Sequence, residues 1–324
     1  MNTTITNARI KYRWLRKCIR VIIVLFILLN IMAAFHAYKL THNYTISSQA
    51  HKKPERMSFA EKMSALFFGV KNTKSQISSY PGGSYLPVYF FTTNKLKIEG
   101  WLMKRDSSMG TVILFHGHMG NKGAMLPEAN RFLAAGYNTL LIDFRAHGNS
   151  EGVACTIGEK EAEEVKLAYN FIKASGEKNI ILWGTSMGAA AICSSIDKYE
   201  IDPQAIILEM PFASLRNAVE GRVKVMGIPQ EPVSTLLTFW GGVEQGFWAF
   251  NYQPSEYVKK IKCPVLLQWG ELDKRVSRKE TETIYRNIKA VKKLETYPEA
   301  GHESLFKNDS LHWINAVTSF LEMS

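Results

Sequence analysis

Residues 179–192, NIILWGTSMGAAAI, decide how this chain is read. The run Ile180–Trp183 is short, apolar and bounded, as suits a strand buried on both faces. From Gly188 onward small residues, AAAICSSI, suit a helix packed closely on a sheet. Between them Gly184-Thr185-Ser186-Met187-Gly188 fits G-x-S-x-G. Its glycines permit a tight strand-to-helix turn that exposes the serine oxygen, and the helix start adds its dipole and unpaired amides. A plain glycine-rich turn is the alternative reading.

Outward from this turn, strands and helices alternate. Residues 86–92 and 96–103 read as a hairpin around Asn94; further strands are expected at 111–115, 138–143, 179–183, 205–209, 264–269 and near 293–297. Helical patterns occupy 124–135, 158–174, 187–199, 278–290 and 310–322. The alternation predicts an α/β fold, a doubly wound and mostly parallel sheet. Residues 211–260 break the rhythm, since about fifty positions separate two strands where a few would serve. They read as a small helical cap, and Phe239, Trp240, Phe247 and Trp248 are candidates to line a substrate pocket. Simple packing of these aromatics onto the sheet is the alternative.

A serine hydroxyl is a poor nucleophile until a base takes its proton. His302 follows the last strand in a loop, within Glu299-Ala300-Gly301-His302-Glu303, where a base could reach Ser186. Asp273 ends Gly270-Glu271-Leu272-Asp273 after the strand PVLLQW, at the strand end where ligand groups gather in open α/β sheets. It is the candidate to orient the base, with Glu271 as competitor. The chain order serine, aspartate, histidine suits one hydrolase architecture. For the oxyanion, the candidate donors are the backbone amides of His118, in Phe115-His116-Gly117-His118-Met119-Gly120-Asn121, and of Met187. His116 reads as structural.

The net charge of +11 is not spread evenly. Residues 1–60 hold ten Lys/Arg and one acid, Glu55; the other 264 hold thirty Lys/Arg and twenty-eight acids. A basic nucleic-acid-binding face on the main domain is therefore excluded. The charge flanks an apolar stretch, Val21 to Tyr38, whose eighteen residues would span about 27 Å as a helix. It reads as an uncleaved signal anchor, with a cleaved signal or a buried helix as alternatives. Six basic residues before it and Lys39 after it put the N-terminus in the cytoplasm and the rest of the chain outside. The expected organisation is a basic tail at 1–20, a transmembrane segment at 21–38, a juxtamembrane linker at 39–85 and a catalytic domain at 86–324. Within the linker Phe59, Met63, Leu66, Phe67 and Val70 recur at helical spacing. Cys155, Cys193 and Cys263 are scattered, without a disulfide framework or zinc-site spacing, and leave a single disulfide open.

The set FHGHMGN, LIDFRAHGNSEG, GTSMG, LLQWGELD and EAGHESL resembles the α/β-hydrolase superfamily over about residues 86–322. It looks closest to the serine-aminopeptidase-like and monoacylglycerol-lipase-like branch, including its membrane-anchored members. The resemblance implies that Asp143, Arg145, His147 and Gly148 form a structural loop near the triad. It also implies no cofactor and no metal. The expected function is a membrane-anchored serine hydrolase cleaving carboxylic esters, of small molecules or lipids, through an acyl-enzyme. The alternatives are a peptidase or amidase with the same triad, using Glu209 or Glu244 to hold an amine, and a non-catalytic binding protein of this fold.

Overall fold

The computed structural model describes residues 2–43, 46–47, 57–69 and 73–323. Part of the juxtamembrane linker expected at 39–85, including Val70 of its helical pattern, lies outside them. The helices are α1 (Asn2–Thr41), α2 (Phe59–Phe68), α3 (Leu126–Ala134), α4 (Ala162–Ala174), α5 (Met187–Tyr199), α6 (Leu215–Met226), α7 (Val233–Gln245), α8 (Pro254–Tyr257), α9 (Arg278–Asn287), α10 (Leu305–Asn308) and α11 (Ser310–Glu322). Two-residue strands β1 (Ile46–Ser47) and β2 (Lys74–Ser75) pair with each other. The main sheet holds β3 (Leu86–Phe91), β4 (Lys97–Met103), β5 (Thr111–Phe115), β6 (Asn138–Ile142), β7 (Ile180–Thr185), β8 (Ala205–Glu209), β9 (Val265–Gly270) and β10 (Lys292–Tyr297).

Strand order in that sheet is β10-β9-β8-β7-β5-β6-β4-β3. The β3–β4 and β4–β6 pairs are antiparallel and the others parallel. Val112 and Leu114 of β5 are buried on one face, in one apolar cluster with Phe132 of α3 and Trp313 of α11. Ile113 and Phe115 point the other way, into a cluster with Ile172 of α4, Ile192 of α5 and Ile284 of α9. Helices thus cover both faces, and every β5 residue is buried, which is why its sequence is continuously apolar rather than alternating. Chain order reverses around β5, whose neighbours are β6 and β7; the β5–β7 register, Phe115 opposite Gly184, sets the two following loops side by side. Such a switch point is where open α/β sheets place their sites.

The helix expected from residue 158 starts instead at Ala162. The buried Glu161 carboxylate accepts from the amides of Thr156 and Gly158 and from Thr156 Oγ1 at 2.6–2.9 Å, holding 156–158 as a loop. Ile157 within it has φ +58°, which no helix admits.

From Val21 onward helix α1 is apolar and largely exposed, and by length and composition its Tyr12–Thr41 part is a candidate membrane span. Its end is fastened to the domain: Cys155 N donates to Thr41 O at 2.8 Å, Asn43 N to Val153 O at 2.7 Å, and Asn43 Nδ2 to Ala146 O at 3.1 Å. The 211–260 insertion forms α6, α7 and α8. Helix α7 packs along α1, and Trp240 Nε1 donates to Asn30 Oδ1 at 3.1 Å.

Candidate active site

Ser186 sits at φ +53°, ψ −112°, between β7 and α5. Few non-glycine residues adopt such a backbone, and strain of this kind gathers at functional turns. The flanking glycines are required by close approach: a Cβ at Gly184 would lie 2.7 Å from Ala189 N, and one at Gly188 would lie 2.2 Å from Phe115 O. Ser186 N donates to Glu209 O at 2.7 Å, tying the turn to β8.

The three sequence candidates meet at this turn. His302 Nδ1 lies 2.6 Å from Asp273 Oδ2 and His302 Nε2 lies 3.0 Å from Ser186 Oγ. With the ring proton on Nδ1 donated to Asp273, Nε2 accepts from the serine hydroxyl. The Asp273 side chain is fully buried, and its other oxygen accepts from Arg275 N at 2.7 Å and Val276 N at 3.0 Å. Those amides fix the orientation of the carboxylate. Glu271, the competitor, is exposed and accepts from Thr296 Oγ1 instead.

Two buried, neutral histidines hold the loop after β5. His116 Nδ1 donates to Gly117 O at 2.7 Å, and Nε2 accepts from Phe144 N at 3.1 Å. Burial lowers its pKa to about 4. His147 Nδ1 donates to Arg145 O at 2.8 Å, and its Nε2 accepts from Met119 N at 3.1 Å; burial lowers its pKa as well. The loop therefore lies against the serine, with an ideal Cβ on Gly117 3.5 Å from Ser186 Cβ. Among the described residues no protein acceptor is assigned to the amides of His118 or Met187, the two proposed oxyanion donors. Met187 N–H is one of the amides that every helix start leaves unpaired.

The neighbouring Asp143 loop is a structural device. Buried Lys122, which the sequence reading missed, bonds Asp143 through Nζ and, at 2.6 Å, through its own amide, while Glu99 stands 3.0 Å from the ammonium. Gly148 is obligatory, since a Cβ there would fall 2.1 Å from Asp143 Oδ2. Arg145 pairs with Glu164 at 2.5 Å and Glu163 at 3.0 Å.

One cluster has the spacing of metal ligands: donor atoms of His118, His147 and Cys155 lie within 4.8 Å of one another. It does not suit a cation. Both His147 nitrogens are engaged, and Arg222 and Arg275 add positive charge beside His118, which burial, chiefly, and these arginines hold neutral. The described cysteines are all free. Glu209 cannot hold a substrate amine: it is buried, its Oε1 accepts from Trp313 Nε1 at 2.6 Å and Trp183 Nε1 at 3.0 Å, and burial raises its pKa to about 8.

Of the four cap aromatics, Phe247 alone lines the cavity between α1 and the insertion. Trp240 is turned to Asn30, Phe239 packs edge-on against Trp240 and Trp248, and Trp248 is exposed. The cavity wall also includes Arg222, Ile157, Ala37, Leu40 and Thr41, none of them a sequence candidate. No local signal marks these residues, because three belong to α1 and meet the insertion only through the tertiary fold.

Comparison with known proteins bears on the fold and the class of activity. The family described as serine aminopeptidase, S33, matches residues 106–240, and the dienelactone hydrolase family matches 221–318. Protein bem46 of Schizosaccharomyces pombe is 25% identical over 286 residues, covering 82% of this chain and 90% of that one. The lysophosphatidylserine lipase of Macaca fascicularis is 25% identical over 201 residues, 58% of this chain and 48% of its own length. Among solved structures, an esterase of Pyrococcus furiosus superposes with a TM-score of 0.63 at 26% identity, covering 74% of this chain and 91% of that chain. The chain thus belongs to the α/β-hydrolase superfamily and is a hydrolase.

Proposed function

We propose that this hydrolase cleaves carboxylic esters through an acyl-enzyme on Ser186, tethered to a membrane by α1 with its catalytic domain outside the cytoplasm. The observation that carries the proposal is the unbroken contact from Asp273 through His302 to Ser186 at a strained strand-to-helix turn. In the first step His302 Nε2 takes the hydroxyl proton as Ser186 Oγ attacks the ester carbonyl. Asp273 stabilises the imidazolium, and the amides of His118 and Met187 hold the oxyanion. His302 then gives the proton to the leaving alkoxide. In the second step water, deprotonated by His302, attacks the acyl-enzyme; the carboxylic acid leaves and Ser186 regains its proton.

Esters are favoured over aminoacyl amides held through Glu209, because that buried carboxylate is already held by two indoles. The basic residues ahead of the apolar stretch, Arg9 to Arg20, support the topology. The test is turnover of p-nitrophenyl butyrate by the full chain in detergent. Ser186→Ala should remove it by about 10⁴-fold or more and leave the circular dichroism spectrum in place. Turnover that survives in the folded variant would overturn the role of Ser186.

A further inference from the structure

A cavity separates the end of α1 from the insertion. Ala37 and Leu40 of α1, Leu237 and Gly241 of α7, Ile157 of the loop before α4, and Phe247 supply its apolar walls. One wall residue, Thr41, is linked to the nucleophile turn through Cys155. Thr41 O accepts from Cys155 N at 2.8 Å, and Cys155 Sγ touches Met187 Sδ at 3.5 Å, one residue from Ser186. Arg222, another wall residue, acts electrostatically on His118 of the loop that faces Ser186. Ile157 is held against the cavity in a backbone conformation that β-branched residues avoid, by the three hydrogen bonds to Glu161.

The cavity stands at the outer end of the apolar stretch, with Ala37 just inside Tyr38 and Leu40 and Thr41 just beyond it. Asn30 lies midway along the Val21–Tyr38 stretch, and Trp240 of α7 reaches it. Eight residues separate Asn30 from Tyr38, about 12 Å of helix. On the topology proposed above, α7 therefore enters the outer half of the bilayer beside α1. Other apolar surface surrounds the same helix. Exposed Phe67 and Phe68 belong to α2, where Leu66 O meets His36 Nε2 at 2.9 Å, and exposed Trp248 adjoins Phe239.

Resting on the ester-hydrolase reading, we infer that the membrane helix is itself one wall of the acyl-chain site, and that the cavity between α1 and α7 receives a single acyl chain directly from the outer leaflet. The anchor then sets chain-length preference as well as location. Ala37 and Gly241 are the size-determining positions, since both leave space a side chain would fill; an ideal Cβ on Gly241 meets nothing within 4 Å.

Two readouts test this with the full chain in phosphatidylcholine vesicles. In the first, kcat/KM is measured for p-nitrophenyl butyrate and p-nitrophenyl palmitate. Ala37→Leu should lower the palmitate-to-butyrate ratio about tenfold, and Gly241→Leu, which closes the same space from α7, should do likewise where Ala37→Leu fails to insert. An unchanged ratio in a folded variant overturns the inference. In the second, Ser186→Ala protein is irradiated with a hexadecyl chain bearing a terminal diazirine, so that no turnover is needed. Label on Ala37, Leu40 or Leu237 that Ala37→Leu abolishes, while label on lipid-facing Ile31 persists, supports the site; label on Ile31 alone overturns it. Pocket labelling in a protein without esterase activity would sink the hydrolase reading and leave the acyl site standing. Activity without pocket labelling would sink only the acyl site.

Discussion

The strand ends that carry Ser186 and the seam between α1 and α7 are held together by different means. At the strand ends polar groups have assigned partners: Asp273 takes two amides and an imidazole, His116 and His147 each use both ring nitrogens, and Lys122 neutralises Asp143. The seam sets buried Ala33 and Ala37 of α1 beside α7, leaves open space at Gly241, and is crossed by the bond from Trp240 to Asn30. In water, apolar burial assembles a core and polar bonds then specify it. On the proposed topology the seam lies in lipid, where helices gain little from the hydrophobic effect and a polar bond such as that from Trp240 to Asn30 carries part of the association. The same chain thus contains a rigid, polar-specified reaction centre and an apolar, adjustable wall.

That contrast can be broken or sharpened. The largest effect is expected at the reaction centre: Asp273→Asn should lower kcat for p-nitrophenyl butyrate by about 10⁴-fold, because His302 loses the partner that sets its tautomer. A loss of less than tenfold in stopped-flow or steady-state assays would mean that Asp273 is not the orienting group. Next, Lys122→Met leaves Asp143 buried without its cation, a cost of about 3–5 kcal/mol. A urea-unfolding midpoint equal to that of the parent protein would show that this ion pair does not specify the loop.

Acid should weaken the same region. His116 has a folded pKa of about 4 against 6.5 in an unfolded chain, so the unfolded state binds the proton first. Its contribution, about 3 kcal/mol, is present above pH 6.5 and is lost as pH falls towards 4; His147 acts in the same direction. Thermal midpoints across that window should fall in the parent and fall less in His116→Gln; parallel curves would contradict the assignment. The smallest effect belongs to the seam. Asn30→Leu removes the Trp240 bond and should cost about 0.6–1.7 kcal/mol in mixed-micelle unfolding. A larger loss there than in Lys122→Met would reverse the comparison.

Much of the reaction centre was legible because its signals are local. Apolar runs bounded by turn residues located β5, α5, β8 and α11 at the bounds observed, and the glycines around Ser186 announced a turn only they can make. Buried Lys122 was not legible: a lysine in Asn121-Lys122-Gly123 reads as solvated, and only the fold brings Asp143 beside it, twenty-one positions on. The start of α4 was misplaced because Glu161, inside the expected helix, instead wraps the preceding loop around its carboxylate.

By itself the sequence determined the α/β alternation, the apolar N-terminal stretch, and Ser186, Asp273 and His302 as the candidate reacting groups, since backbone periodicity and residue chemistry are written at short range. Only the tertiary structure decided that α7 lies on α1 and that Ala37, Leu40 and Thr41 share a cavity with Arg222 and Ile157. An apolar helix surface is equally suited to lipid and to another helix, so its sequence cannot name its neighbour. Shape complementarity does that, and Asn30 meets Trp240 only after 210 residues of chain have folded between them.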